Sequence, residues 1–103
     1  MKYSEKVKAA STIINALSAL KDGESIRATY GTDYNGEVVT YKISVSVFNG
    51  RKSYSINKDD VWAFSGMNIS SINKTTMDGY TYDMMGQRTT YRFPLYAMEM
   101  IVE

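Results

Sequence analysis

Residues 25–57, SIRATYGTDYNGEVVTYKISVSVFNGRKSYSIN, contain two Asn-Gly pairs, each flanked by runs in which apolar and polar side chains alternate. Asn35-Gly36 and Asn49-Gly50 are typical of two-residue hairpin turns, because both turn positions need positive φ angles that Asn and Gly tolerate. The stretch therefore predicts three consecutive antiparallel strands, over residues 24–34, 37–48 and 51–57.

The two turns also predict the register of these strands. The first turn places Ala28 opposite Ile43, and the second places Ile43 opposite Ile56. A slip of one residue would exchange the two faces of the sheet, so the single apolar face that both turns produce supports this register. The opposite face is rich in Ser and Thr and carries three cations, Arg27, Lys42 and Arg51.

Helices are predicted on both sides of this stretch. Residues from about 4 to 22 are predicted to form an amphipathic helix, because apolar side chains recur there at three- and four-residue spacing. These apolar positions are Val7, Ala10, Ile13, Ile14, Leu17 and Leu20. Asn57 as a cap, acidic residues in the first turn and Gly66 as a terminator predict a short helix near residues 58–65.

The fold class expected from these elements is α+β. The chain has 103 residues, 44% of them hydrophobic, which is enough for one core, so a single domain over residues 1–103 is expected. The N-terminal helix must bury its apolar stripe, and we expect it to pack on a curved, mostly antiparallel sheet of about six or seven strands. Pro94, the only proline, is expected at a bulge, a strand start or a sheet edge.

Aromatic side chains are concentrated in residues 80–96, YTYDMMGQRTTYRFPLY. Asp78-Gly79 just before this run is a further turn signal. If Met85-Gly86 forms a two-residue turn, Asp83 faces Arg88, and the aromatic side chains share one face of the hairpin while the charged side chains share the other. This separation predicts that the aromatic run lines the core. Tyr96 follows Pro94 in a further predicted strand, where an edge could be left for a partner.

Several chemistries are excluded because the chain contains neither cysteine nor histidine. Catalysis that uses a Cys-His or Ser-His-Asp arrangement is impossible, as is a zinc site built from thiolate or imidazole ligands. No phosphate-binding glycine loop or nucleophile-elbow motif is present. Asp59 and Asp60 are interpreted as partners of a helix dipole, with magnesium ligation as the alternative. We expect no enzymatic activity, no cofactor and no metal.

The composition also indicates the cellular location of the protein. The absence of cysteine favours a reducing cytoplasm. The N-terminal apolar run is interrupted by polar residues, unlike the core of a signal peptide, and no stretch approaches the ~20 apolar residues of a membrane span. A cytoplasmic location without a membrane partner is expected.

By elimination, the sequence predicts a small, non-enzymatic protein-binding module that inhibits or regulates a larger protein or protein complex. Compact domains of this composition suggest a phage or mobile-element protein, and an inhibitor of bacterial defence such as an anti-CRISPR protein is the specific expectation. The candidate partner-binding residues are Trp62, Tyr34, Tyr96 and Asp59, because exposed aromatic side chains are frequent interface anchors.

Two alternatives remain open at this stage. A nucleic-acid-binding accessory protein would use the basic, Ser/Thr-rich sheet face, with Arg27, Lys42, Arg51 and Lys52 as the candidate residues. The net charge of +1 argues against it, as does the expectation that Phe48 and Tyr34 alone among the aromatic side chains lie near that face. The third hypothesis is a structural or virion-assembly subunit.

Overall fold

The computed structural model describes residues 1–59 and 66–102. Over these residues the chain forms the helix α1 (Tyr3–Ala19), an antiparallel sheet of seven strands and a 3-10 turn (Leu95–Ala97). The strands are β1 (Ser25–Thr32), β2 (Val38–Phe48), β3 (Arg51–Lys58), β4 (Met67–Ile72), β5 (Thr76–Tyr82), β6 (Arg88–Pro94) and β7 (Glu99–Met100). The expected α+β architecture is therefore confirmed. No helix among the described residues is long and apolar enough to cross a membrane.

The sheet has the strand order β6-β5-β4-β3-β2-β1-β7 and curls into a half-barrel. Tyr41 in β2 and Phe93 in β6 lie four strands apart in this order, which would separate them by about 19 Å in a flat sheet. Their ring centroids are 5.8 Å apart, because the curl brings the two strands towards each other across the concave side. The concave side therefore encloses the core.

The core joins one face of α1 to the concave face of the sheet. The fully buried large side chains are Ile13, Leu17, Ile43, Ile56, Met77 and Leu95. Burial of each such side chain stabilises the fold by about 1.5–3 kcal/mol. The apolar stripe predicted for the helix is thus buried against the sheet, as expected.

The C-terminal end of α1 is attached to β3 by two polar contacts. The Tyr54 hydroxyl donates to the Leu17 carbonyl at 3.0 Å, and the Lys52 ammonium donates to the Ser18 carbonyl at 2.6 Å. Carbonyls in the last turn of a helix lack intrahelical partners, and a cation is favoured there by the helix dipole. Both contacts hold the helix in the concave side of the sheet.

The second Asn-Gly turn forms the predicted hairpin. Ile43 pairs with Ile56, and Val45 pairs with Tyr54. Asn49 and Gly50 adopt φ angles of 52° and 75°, the positive values that this turn requires.

The first hairpin has a register two residues away from the predicted one. Ala28 pairs with Tyr41, where Ile43 was predicted. One extra residue lies in the turn, which is closed by Asp33 and Glu37, and a second lies in a bulge next to Gly31, whose φ is 70°. One insertion alone would exchange the faces of β1. Two insertions restore them, so the predicted apolar and polar faces are correct although the pairing is not.

The predicted register of the β5–β6 hairpin is wrong by one residue. Asp83 accepts hydrogen bonds from the backbone N–H groups of Met85 and Gln87 at 2.9 and 2.8 Å, and the Gly86 N–H donates to the Asp83 carbonyl. Asp33 makes the same side-chain bonds in the first hairpin. Both connections are therefore three-residue turns of the pattern Asp-x-x-Gly.

No second insertion compensates for this shift, so the faces of β5 are exchanged relative to the prediction, whereas β6 keeps its predicted faces. Tyr80 pairs with Thr90 and Tyr82 with Arg88, and these side chains lie on the convex face of the sheet. Phe93 lies on the concave face and is buried. The prediction that the whole aromatic run lines the core is wrong for Tyr80 and Tyr82.

The predicted short helix near residues 58–65 lies largely outside the described residues. Asn57 pairs with Lys42 inside β3, so its predicted role as a helix cap is wrong, and Lys58 is the last residue of that strand. Pro94 ends β6, which is an edge strand, as its chemistry predicts.

The junction between β3 and β4 is narrow. Only two residue pairs join these strands in the part of the chain that the structure describes, Ser55 with Asn68 and Ile56 with Met67. Beyond them the strands diverge around a gap of about 270 Å³ whose lining includes Tyr54 and Ile72.

The two glycines that the sequence placed in turns provide a test of the register. Replacing Gly86, which has a φ of 79°, by alanine should lower the free energy of unfolding by about 1–2 kcal/mol, because side chains are strained at this angle. Replacing Gly79, which lies inside β5, by alanine should leave stability unchanged or raise it by up to about 1 kcal/mol. A Cβ there would meet ordinary contacts of 3.4–3.5 Å. Urea unfolding of both variants measures the difference, and a larger loss for Gly79→Ala would contradict this register.

Candidate functional site

Alternate connections of an antiparallel meander lie at the same end of the sheet, and three of them define one end here. They are the β1–β2 turn, the β5–β6 turn and the β3–β4 connection, of which the structure describes only the flanking residues Asp59 and Gly66. Tyr34, a predicted partner-binding residue, lies in the first turn and is 98% exposed. Trp62, another predicted partner-binding residue, lies outside the described residues.

Three exposed apolar side chains at this end lie next to one another in and beside the β5–β6 turn. Met84 and Met85 are fully exposed, and Tyr82 beside them is 57% exposed. We call these three residues the hairpin tip. The turn that carries them is held by the side-chain bonds of Asp83, so the methionines project from an ordered backbone. Methionine is frequent on binding surfaces because its flexible thioether adapts to a partner.

The convex face brings together two residues that the sequence assigned to different hypotheses. Arg27, a candidate for nucleic acid, forms an ion pair with Asp59, a candidate for protein binding, with 3.1 Å between Nε and Oδ2. The Asp59 N–H also donates to the Thr40 carbonyl at 2.9 Å. Each charge in the pair is largely offset by the other, so neither residue presents an isolated charge.

The other three predicted cations are divided between the two faces. Lys42 lies beside Arg27 on the convex face, at a shallow pocket of about 300 Å³ next to Ile101. Arg51 pairs with Phe48, a 76% exposed side chain at the opposite end of the sheet from the hairpin tip. Lys52 lies on the concave side, where it binds the end of α1. The structure therefore brings Arg27 and Lys42 together and separates Lys52 from them.

The convex face also carries an aromatic group that the sequence placed in the core. The Arg88 guanidinium lies 4.2 Å from the centroid of the Tyr80 ring, and the Tyr80 and Tyr82 rings meet edge to face at 5.8 Å. The spacing of Asp83 and Gly86 is the same as that of Asp33 and Gly36 in the first turn. This spacing indicates a three-residue turn, and that turn would have revealed the aromatic group. Cation–π contacts of this kind contribute about 0.5–1 kcal/mol at exposed sites.

Tyr96 occupies a different environment from the one predicted. The sequence placed it in a strand, whereas it lies in the 3-10 turn that carries the chain from β6 to β7. It is half-buried against the core, and the Lys6 ammonium of α1 lies 4.7 Å from its ring centroid. Its ring therefore contributes to the packing of α1, which leaves little of it for a partner.

Two sites among the described residues have pKa values displaced by their surroundings, Tyr41 and the ion pair of Asp78 with Arg92. Burial, together with the neighbouring Tyr30, raises the pKa of Tyr41. The hydrogen bond from Arg92, 2.9 Å between Nε and Oδ1, lowers the pKa of Asp78. Both shifts follow from structural contacts, and neither group lies among a set of convergent catalytic side chains. Within residues 1–59 and 66–102, no group of three acidic side chains is arranged to hold a metal ion.

Comparisons of this chain with protein-family models, with curated proteins and with solved structures find no match.

Titration of Asp78 tests the geometry of the convex face. Its pKa in the folded protein should lie below the ordinary value of 3.8, and Arg92→Gln should return it towards that value. The pKa of Asp78 is lower in the folded protein than in the unfolded chain. The pair therefore stabilises the fold at pH values above the unfolded pKa, and this contribution is lost as the pH falls through the folded pKa. The contribution is small, because the pair is at the surface, where solvent screens it. NMR of the side-chain carboxyl carbons measures the midpoint, and an unshifted Asp78 in the wild-type protein would contradict the pair.

Proposed function

We propose that this protein is a non-catalytic, protein-binding module and that its partner contacts the hairpin tip, with Tyr34 as a second contact at the same end of the sheet. The observation that carries the proposal is the full exposure of Met84 and Met85 on an ordered turn. The role of inhibitor or regulator follows as part of the proposal, because a module of this kind acts by occupying a surface of a larger protein or complex.

The energetic support comes from the two methionines. Neither side chain belongs to the core cluster of the described residues, so their apolar surface adds little to the stability of the free protein. Full burial of a methionine against a partner is worth about 1.5–3 kcal/mol, the magnitude typical of an interface hot spot. The two residues together are therefore sufficient for an energetically dominant contact.

The second support is preorganisation. The Asp83 carboxylate accepts hydrogen bonds from the N–H groups of Met85 and Gln87, which restrains the backbone of the turn before any partner arrives. A loop that is already ordered loses less conformational entropy on binding, and this favours affinity.

A ligand selection tests this proposal. Peptides selected from a displayed random library against the wild-type protein should lose at least tenfold in affinity for the double variant Met84→Ser/Met85→Ser, which corresponds to about 1.4 kcal/mol. The matched control is Phe48→Ser, which removes an exposed apolar side chain at the other end of the sheet. Biolayer interferometry measures each affinity, with circular dichroism as the check of folding. Ligands that respond to Phe48→Ser and ignore the double variant would contradict the proposal.

Nucleic-acid binding is the second candidate, favoured by one observation. Tyr80, Tyr82 and Arg88 lie together on the same convex face as Arg27 and Lys42, so aromatic side chains and cations share one polar surface. Single-stranded nucleic acids bind such surfaces through base stacking and phosphate contacts. The net charge of +1 limits the electrostatic contribution.

A salt titration separates this candidate from the first. If the convex face binds single-stranded RNA or DNA, affinity should fall steeply as the salt concentration rises. Arg88→Gln should then reduce the slope of log affinity against log salt concentration by the amount that about one phosphate contact contributes. Lys21→Gln makes the same charge change away from this face and serves as the control. Fluorescence anisotropy with labelled oligonucleotides measures both. Identical slopes for the two variants, or no salt-sensitive binding at low ionic strength, would rule the candidate out.

A further inference from the structure

We propose that the partner supplies an extended peptide that adds to β6 as an antiparallel strand, with a carboxylate opposite Arg88. This inference rests on the proposed protein-binding function and specifies the chemistry of the partner. It depends on three properties of β6, which are its position at the edge of the sheet, the direction of its backbone groups and the pattern of its side chains.

The first property is an open edge of useful length. β6 and β7 are the two edge strands of the sheet. β7 contains two residues, whereas β6 contains seven. An edge strand presents unpaired N–H and C=O groups to which another extended chain can bond. Of the two edges, only β6 is long enough to guide several residues of a peptide.

The second property is the direction of the backbone groups. In an antiparallel ladder, hydrogen-bonded pairs alternate with pairs that are not hydrogen-bonded. The Asp83 N–H donates to the Gln87 carbonyl, so the next pair, Tyr82 with Arg88, is not hydrogen-bonded, and the one after it is. Continued along the strand, this alternation directs the N–H and C=O groups of Arg88, Thr90 and Arg92 away from β5.

The position of Pro94 agrees with this alternation. Pro94 has no N–H, and the alternation places its nitrogen on the open side of β6, where no ladder bond is lost. Among the described residues, no hydrogen bond to another segment occupies the outward backbone groups of Arg88, Thr90 or Arg92. These three residues therefore offer an added strand a ladder of about five residues, which ends where the proline begins.

The third property is the pattern of side chains. Arg88, Thr90 and Arg92 share the convex face, and Tyr91, which is 48% exposed, lies on the concave face. Arg88 contacts the Tyr80 ring and forms no ion pair with a described carboxylate, whereas Arg92 is already paired with Asp78. A peptide carboxylate is therefore favoured opposite Arg88, where cross-strand opposite charges attract.

The same register predicts the rest of the peptide. Residues that alternate with the carboxylate position fall on the concave side beside Tyr91, where apolar side chains are favoured. A probe with the sequence Glu-Val-Thr-Ile-Glu, acetylated and amidated at its ends, satisfies the pattern in antiparallel pairing. Its Glu and Thr residues lie opposite Arg88, Thr90 and Arg92, and its Val and Ile residues lie on the concave side.

Backbone methylation of this probe provides the decisive experiment. In antiparallel pairing the Thr N–H bonds to β6, while the Val N–H points to solvent. Methylation of the Thr nitrogen should weaken binding at least tenfold, and methylation of the Val nitrogen should change it by less than about threefold. Titration of the isotope-labelled protein by NMR measures both affinities and locates the shifts. Equal effects of the two methyl groups, or no shifts in β6 at millimolar probe, would overturn strand addition.

A pair of protein variants tests the same backbone hydrogen bonds by changing β6 in place of the peptide. Thr90→Pro removes an outward N–H and leaves the β5 ladder intact, whereas Thr90→Ala removes the side chain and keeps the N–H. Binding of the Glu-Val-Thr-Ile-Glu probe should fall at least tenfold for Thr90→Pro and remain within about threefold for Thr90→Ala. The methylated probes decide the question independently if Thr90→Pro does not fold.

Failure of strand addition is distinguishable from failure of the proposed function. Library-selected peptides that lose affinity for Met84→Ser/Met85→Ser but bind Thr90→Pro normally would preserve the protein-binding function and overturn strand addition. Selected peptides that are insensitive to both changes would overturn the two proposals together.

Discussion

The carboxylate of Asp83 holds the N–H groups of Met85 and Gln87, and the surface of this protein depends on that contact. It makes the β5–β6 connection a three-residue turn in place of a two-residue one. One additional residue in a turn exchanges the faces of the strand that follows. Through this exchange, Arg88 joins Tyr80 and Tyr82 on the convex face, and the two methionines project from the end of the sheet. A local choice of turn thus determines which chemistry the protein presents to a partner.

Curvature of the sheet is the second constraint. The meander curls until Phe93 of β6 contacts Tyr41 of β2, and α1 with the buried Leu95 fills the concave side. The contacts of Tyr54 and Lys52 with the last turn of α1 secure the helix in this position. Because the curl leaves β6 at the edge, the strand that completes the core also presents an open row of backbone groups.

The sequence predicts the helix, the Asn49-Gly50 hairpin and the α+β class, because each depends on a strong local signal that agrees with the burial pattern. The register of the first hairpin is mispredicted because Asn35-Gly36 suggests a two-residue turn, while Asp33 two residues earlier selects a longer one. Its faces are predicted correctly only because the bulge at Gly31 adds a second insertion. No bulge compensates in the last hairpin, and there the same error assigns Tyr80 and Tyr82 to the wrong face.

Among the candidate site residues, Tyr34 is exposed as its turn position suggests, since residues at a hairpin turn have few neighbours. The pairing of Asp59 with Arg27 could not be predicted, because it depends on where the chain leaves β3. The exposure of Met84 and Met85 was hidden by their apolar character, which in a hairpin pattern favours the core. Sequence periodicity therefore identifies the buried residues of the core better than the exposed residues of the surface.

The narrow junction between β3 and β4 has a mechanical consequence. Among the described residues, two residue pairs join the part of the sheet formed by β1, β2, β3 and β7 to the part formed by β4, β5 and β6. The attachment of the two parts to each other therefore depends on side-chain packing across the concave side, where Phe93 meets Tyr41 and α1 packs against the 3-10 turn. A peptide that adds to β6 would lengthen the second part of the sheet, and this side-chain packing, more than the β3–β4 ladder, would hold that part in place.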